Sequence, residues 1–157
     1  MKYLGSLLLL FLVSVGVHAE EKTPPSCRSV AVQGESVTLS ARKPQLVLIH
    51  NLSDADLWIT HPVSEPGASA GWSSRLQSGK WSALALDQKS FELSCIESRP
   101  GHEQQIPCAG VIAVCQWSDV GMPAKAAGTY WAGEDMTLSK LMTYLGGNGF
   151  KLPSSEE

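Results

Sequence analysis

Gln45–His61 reads QLVLIHNLSDADLWITH, two short apolar runs around a polar hinge. In the first run Leu46, Leu48 and His50 share one face, and Val47 and Ile49 share the other. In the second, Leu57 and Ile59 oppose Trp58 and Thr60. A period of two means extended backbone. Apolar residues on both faces mean central strands of a layered fold rather than an edge. The polar segment Asn51–Asp56 reads as the turn of a β-hairpin. Its Asn51-Leu52-Ser53 sequon reads as turn chemistry.

The alternation continues outward in both directions. Arg28–Gln33 carries Val30 and Val32 on one side, and Gly34-Glu35 turns into Ser36–Ser40 with Val37 and Leu39, a second hairpin. Beyond the hinge, Pro62–Lys80 is a long loop rich in Ser, Gly and Ala. Trp81–Asp87 resumes as a strand, and Asp87–Ser90 turns into Phe91–Ile96, with Phe91, Leu93 and Cys95 facing inward. Glu97–Pro107 reads as a charged loop opening with Arg99-Pro100-Gly101-His102, and Gly110–Trp117 as a strongly apolar strand. After the loop Ser118–Gly128, Thr129–Ala132 adds a short strand. Helical spacing comes late: Leu138, Leu141, Met142 and Leu145 make one stripe, ended by Gly146-Gly147. The expected fold is mainly β, a Greek-key β-sandwich of about seven or more strands with one short C-terminal helix over an open end or edge of the sheets.

Residues 1–19 read as a secretory signal: Lys2, the apolar run Leu4–Val17, and the small-residue site Val17-His18-Ala19. That run is shorter than the roughly 20 residues of a bilayer span, and no other segment reads as a span. Residues 20–26 are an exposed lead-in, 27–150 a single β-sandwich domain and 151–157 a flexible tail. Cys27, Cys95, Cys108 and Cys115 all follow the leader, and an even count in an exported chain means disulfides. Of three possible pairings, Cys95–Cys108 is favoured because its loop joins neighbouring strands, which leaves Cys27–Cys115. Closing a loop of the first size contributes about 3 kcal/mol in the chain-entropy model. The chain has no Cys-x-x-Cys pair to suggest zinc. Twelve basic residues face 15 acidic ones, and cleavage after Ala19 removes Lys2 from the basic side. With no basic patch, nucleic acid and anionic lipid are poor partners.

Three motifs suggest chemistry. Gly67-Ala68-Ser69-Ala70-Gly71 matches a hydrolase nucleophile pattern, but neither the strand nor the helix that gives Ser69 its geometry flanks it. His50, His61 and His102 offer a copper site. In the expected hairpin, however, His50 and His61 stand four residues apart along the ladder, about 13 Å, too far for one ion. Trp72 and Trp81 bracket the long loop beside Glu65, Arg75 and Lys80, groups suited to recognition. Trp58 and Trp117 read as core. The acidic residues are dispersed, Glu134-Asp135 reading as the polar start of the helix.

Gln33–Leu39, Leu46–Pro66, Gly71–Leu84, Cys95–Cys108 and Trp131-Ala132-Gly133-Glu134-Asp135 together resemble the small exported "enhanced entry" proteins of the B type, from intracellular bacterial pathogens. The likeness spans Cys27 to Phe150. It implies a periplasmic or secreted protein linked to entry into host cells or survival inside them, and brings no catalytic residues. The expectation is therefore a non-enzymatic binding or structural domain, without a cofactor, whose partner is an envelope or host protein or a cell-wall component. Its contact residues would be His61, Glu65, Trp72, Arg75, Trp81, Arg99 and His102, on Pro62–Lys80 and Arg99–Gln105. The competing class is a periplasmic copper-binding domain using His50, His61 or His102; a hydrolase at Ser69 stands behind both.

Overall fold

A computed structural model describes residues 23–61, 72–87, 89–117, 119–126, 130–131 and 135–153. Glu65, Ser69, the last four residues and residues 1–22, which include the expected signal, lie outside that set. Among the described residues the strands run, in chain order, β1 (Arg28–Val30), β2 (Ser36–Leu39), β3 (Gln45–Asn51), β4 (Leu57–His61), β5 (Trp72–Leu76), β6 (Trp81–Leu86), β7 (Phe91–Arg99), β8 (His102–Ile106), β9 (Ile112–Trp117) and β10 (Tyr130–Trp131). One helix follows, α1 (Leu138–Gly147). Sheet A has the order β1-β9-β3-β6-β10, and sheet B the order β2-β7-β4-β5 with β8 beside β7. Every pairing is antiparallel. The protein is mainly β, two sheets packed on a shared core with one short C-terminal helix.

The two-faced apolarity of β3 has a direct cause. Val47 and Ile49 join Leu84, Ile112 and Val114 of sheet A in a core shared with Val37, Leu57, Ile59 and Leu93 of sheet B. Leu46 and Leu48 point the other way, into a second core with Ala83, Ala85, Trp117, Leu141, Leu145 and Phe150. The helix thus lies on the outer face of sheet A, not over an edge or an open end as expected. The small side chains of Ala83 and Ala85 leave room for it. Leu141 and Leu145 are both fully buried, and each contributes about 2 kcal/mol by burial. Thr137 caps the helix by accepting from the Lys140 amide (3.3 Å), and the Trp81 amide donates to Met136 carbonyl (2.8 Å), tying the helix entry to β6. Gly146 and Gly147 belong to the helix; the stop comes at Asn148-Gly149, where Gly149 has φ +89°.

Strand partners differ from the expected hairpins. The Asn51–Asp56 segment is an arch: β3 pairs with β6 and β9, whereas β4 pairs with β5 and β7 in the other sheet. Asn51 is the reason a six-residue polar segment can cross between sheets. Its buried side-chain amide donates to the carbonyls of Ala55 (2.8 Å) and Leu76 (3.0 Å), and its Oδ1 accepts from the Ser53 amide (2.9 Å) and hydroxyl (2.7 Å). The sequon asparagine is therefore inside the fold. The second expected hairpin is also a crossing, since β1 pairs with β9 in sheet A and β2 with β7 in sheet B. Valines on both sides of Gly34 pack on the one shared core from opposite sheets.

Two expected loops are partly strands. Glu97–Pro107 extends β7 into β8, from Cys95↔Ile106 to Arg99↔His102, with Gly101 at φ +77° in the turn. His102–Gln105 is exposed throughout, so no alternation marks it. Within Pro62–Lys80, Trp72–Leu76 is β5, an antiparallel neighbour of β4. Disulfides join Cys27 to Cys115 and Cys95 to Cys108. Two such bonds are compatible with an oxidising compartment. Among the described residues no helix is long and apolar enough to cross a membrane.

Candidate binding surface

The side chains that β4 and β7 turn away from the shared core make the outer face of sheet B. Trp58 on β4 stands between Arg75 of β5 and Ile96 of β7, and Thr60 stands between Ser73 and Ser94. Gln105 of β8 continues the row beside Ile96. Trp58 and Ile96 are half-buried, Arg75, Ser73 and Gln105 exposed. Among the described residues no element packs over this face. It is an apolar centre, Trp58 beside Ile96, with Thr60, Ser73 and Gln105 around it, the charged Arg75 and Glu92 on the same side, and Ser94 buried between the strands. Arg75 is held in place, its Nε donating to Asp56 (2.9 Å) and its terminal nitrogen pairing with the same carboxylate. The other oxygen of Asp56 accepts from the Ser78 amide (3.1 Å), which makes the arch a rigid support for β5.

The expected contact residues scatter over several places. Arg75 is on the open face. Trp72 takes the β5 register opposite His61. His61 itself turns inward: its ring stacks on Phe91 with centroids 3.9 Å apart, and Nδ1–H donates to the Glu92 carbonyl (2.7 Å). It closes one end of the core. Arg99 and His102 face each other across the β7–β8 turn, and Arg99 pairs with Glu97. The His61 end and that turn lie at opposite ends of sheet B, six residue steps apart along β7 from the register, about 20 Å. They form no common surface. Trp81 corrects the picture most. It is 2 % exposed and stacks on His50, with centroids 4.2 Å apart and planes 7° apart, beneath the helix layer of sheet A.

The histidines occupy three separate environments: His50 under Trp81, His61 against Phe91, and His102 at an exposed turn. Among the described residues no group of three or more His, Cys, Asp or Glu side chains could hold a metal ion. The most perturbed carboxylate also lies away from the open face. Asp135, at φ 60° before α1, accepts from Lys140 and from Lys80 (3.0 Å). These two ammonium groups, Lys140 foremost, hold its carboxyl at about 2. With Gln77 accepting from its amide (2.9 Å), Asp135 joins the β5–β6 turn to the helix.

No family model, curated protein or solved structure matches this chain. The surface must speak for itself. Trp58 is the residue the sequence reading missed, because its strand alternates two apolar sets and both looked like core. The signal was next door: Glu92 and Ser94, on the face opposite Phe91, Leu93 and Cys95, mark that side of sheet B as polar.

Proposed function

We propose that this chain is an exported, non-enzymatic binding domain that holds an envelope protein, a host protein or a cell-wall component on the outer face of sheet B. The observation that carries this reading is the asymmetry of the sheets. One outer face lies beneath a helix, while the other, uncovered among the described residues, presents a half-buried tryptophan between a salt-bridged arginine and Ile96. A rigid aromatic centre with a polar surround suits contact with a protein or a sugar ring. The disulfides favour a periplasmic or secreted setting, and the resemblance to "enhanced entry" proteins supplies a role in host-cell entry or intracellular survival.

The test compares Trp58→Ala and Arg75→Ala with the unchanged protein as bait in quantitative crosslinking pull-downs from envelope and host-cell extracts. Both variants should keep the fold and lose the same specific partner. Recovery of that partner at unchanged yield by both variants would remove this face from the interface.

A further inference from the structure

The two disulfides differ in what can reach them. Cys95 and Cys108 are both 0 % exposed and sit within the core between the sheets. Cys27 is half-buried, and Cys115, itself only 3 % exposed, is reached from an open cleft of about 240 Å³ that it lines at the edge of sheet A. The cleft exists because the β1–β9 ladder is short. Pairing runs from Arg28↔Gln116 to Val30↔Val114 and stops; Val32, Gly110 and Ile112 line the gap that opens beyond it.

We propose that Cys27–Cys115 is a thiol–disulfide exchange site, open to small thiols in the folded protein, while Cys95–Cys108 is closed to them. A thiolate entering the cleft bonds to Cys115 Sγ. The Cys27–Cys115 bond breaks, and Cys27 leaves as a thiolate that takes a proton from water. This direction follows from solvation: the half-exposed Cys27 is the better leaving group, because burial disfavours a thiolate. A second small thiol then attacks the mixed disulfide, leaves with the first as their own disulfide, and Cys115 becomes a thiol. Two thiols are oxidised and one protein disulfide is reduced.

The consequence is local. Among the described residues β1 is bonded to the sheet only through β9, over three residue pairs, and Cys27 is its covalent tie. Reduction frees β1 and unpairs Val114–Gln116 along that edge. The sandwich itself keeps its core and its Cys95–Cys108 bond. The site is therefore a redox latch on one sheet edge.

The test uses the whole exported chain, folded and oxidised, with reduced glutathione at about pH 8, near the ordinary thiol pKa. Samples are quenched with iodoacetamide and mapped by peptide mass spectrometry. Carboxamidomethyl on Cys27 and glutathione on Cys115 should accumulate at least about 100-fold faster than any label on Cys95 or Cys108, whose exposure requires unfolding. Hydrogen exchange should rise at Ser29–Val30 and Val114–Gln116 and stay low along β7. Ala113→Leu, which narrows the cleft, should slow the exchange. Equal rates for the two bonds would overturn the proposal, and so would reduction of Cys27–Cys115 only under denaturant. Glutathione found on Cys27 would overturn the direction of attack, and an unchanged rate in Ala113→Leu the route through the cleft.

Discussion

The outer faces of the two sheets start from similar sequence patterns and end in opposite conditions. β3 and β4 both carry bulky apolar residues on both sides. In β3 the second set, Leu46 and Leu48, is fully buried under α1 and Phe150. In β4 the second set is Trp58 and Thr60, half-buried on a face that no described element covers. A strand reports which residues share a face, but not what lies over that face. The covering element, α1, is about 90 positions further along the chain by the sequence numbering, and its stripe of leucines marks a partner without naming it.

That contrast can be broken by substituting the same residue type on the two faces. Trp81→Ala should have the largest effect, a loss of about 3–5 kcal/mol in denaturant unfolding, because it removes a buried aromatic from the layer under the helix. Leu141→Ala should follow at about 2–4 kcal/mol, since the helix is held to sheet A mainly by Leu141 and Leu145. Trp58→Ala should cost only about 1 kcal/mol, in the ordinary range for a half-buried side chain, while abolishing partner recovery. A Trp58→Ala variant as unstable as Trp81→Ala would mean that sheet B is covered after all. Asp135→Asn should give the smallest change. Its carboxyl is depressed in the folded state, so its contribution is complete above the ordinary 3.8 and is lost as pH falls toward about 2. In acid titrations the stability difference between wild type and variant should be constant above about pH 4 and close below it. A difference that grows on acidification would contradict the Lys80–Asp135–Lys140 link.

How much was legible depended on whether a residue's neighbours were local. The central position of β3, the inward faces of β6, β7 and β9, and the helix stripe all follow from periodicity, because each pattern is set by burial of the residues themselves. The partners did not follow. A polar run such as Asn51–Asp56 serves as a hairpin turn or as an arch between sheets, and only the contacts of Asn51 with Leu76, 25 positions away, decide it. β8 escaped because both its faces are solvated. β5 escaped because Ser73 and Ser74 interrupt the alternation. The candidate site suffered from both gaps. Arg75 reads as a loop residue and stands instead on a strand, while Trp58 reads as core and lies half-buried on the outer face. Trp81 looked like a bracket of the loop and is buried against His50.

The central claim is that sheet B presents the working face and sheet A a closed one. The most direct measurement places the photocrosslinker benzoylphenylalanine at Thr60 on the open face or at Ser139 on the exposed side of α1. Illumination then takes place in the presence of the captured partner. The account predicts a crosslinked adduct from position 60 and none from position 139. An adduct from position 139 alone, or equal adducts from both, would contradict it.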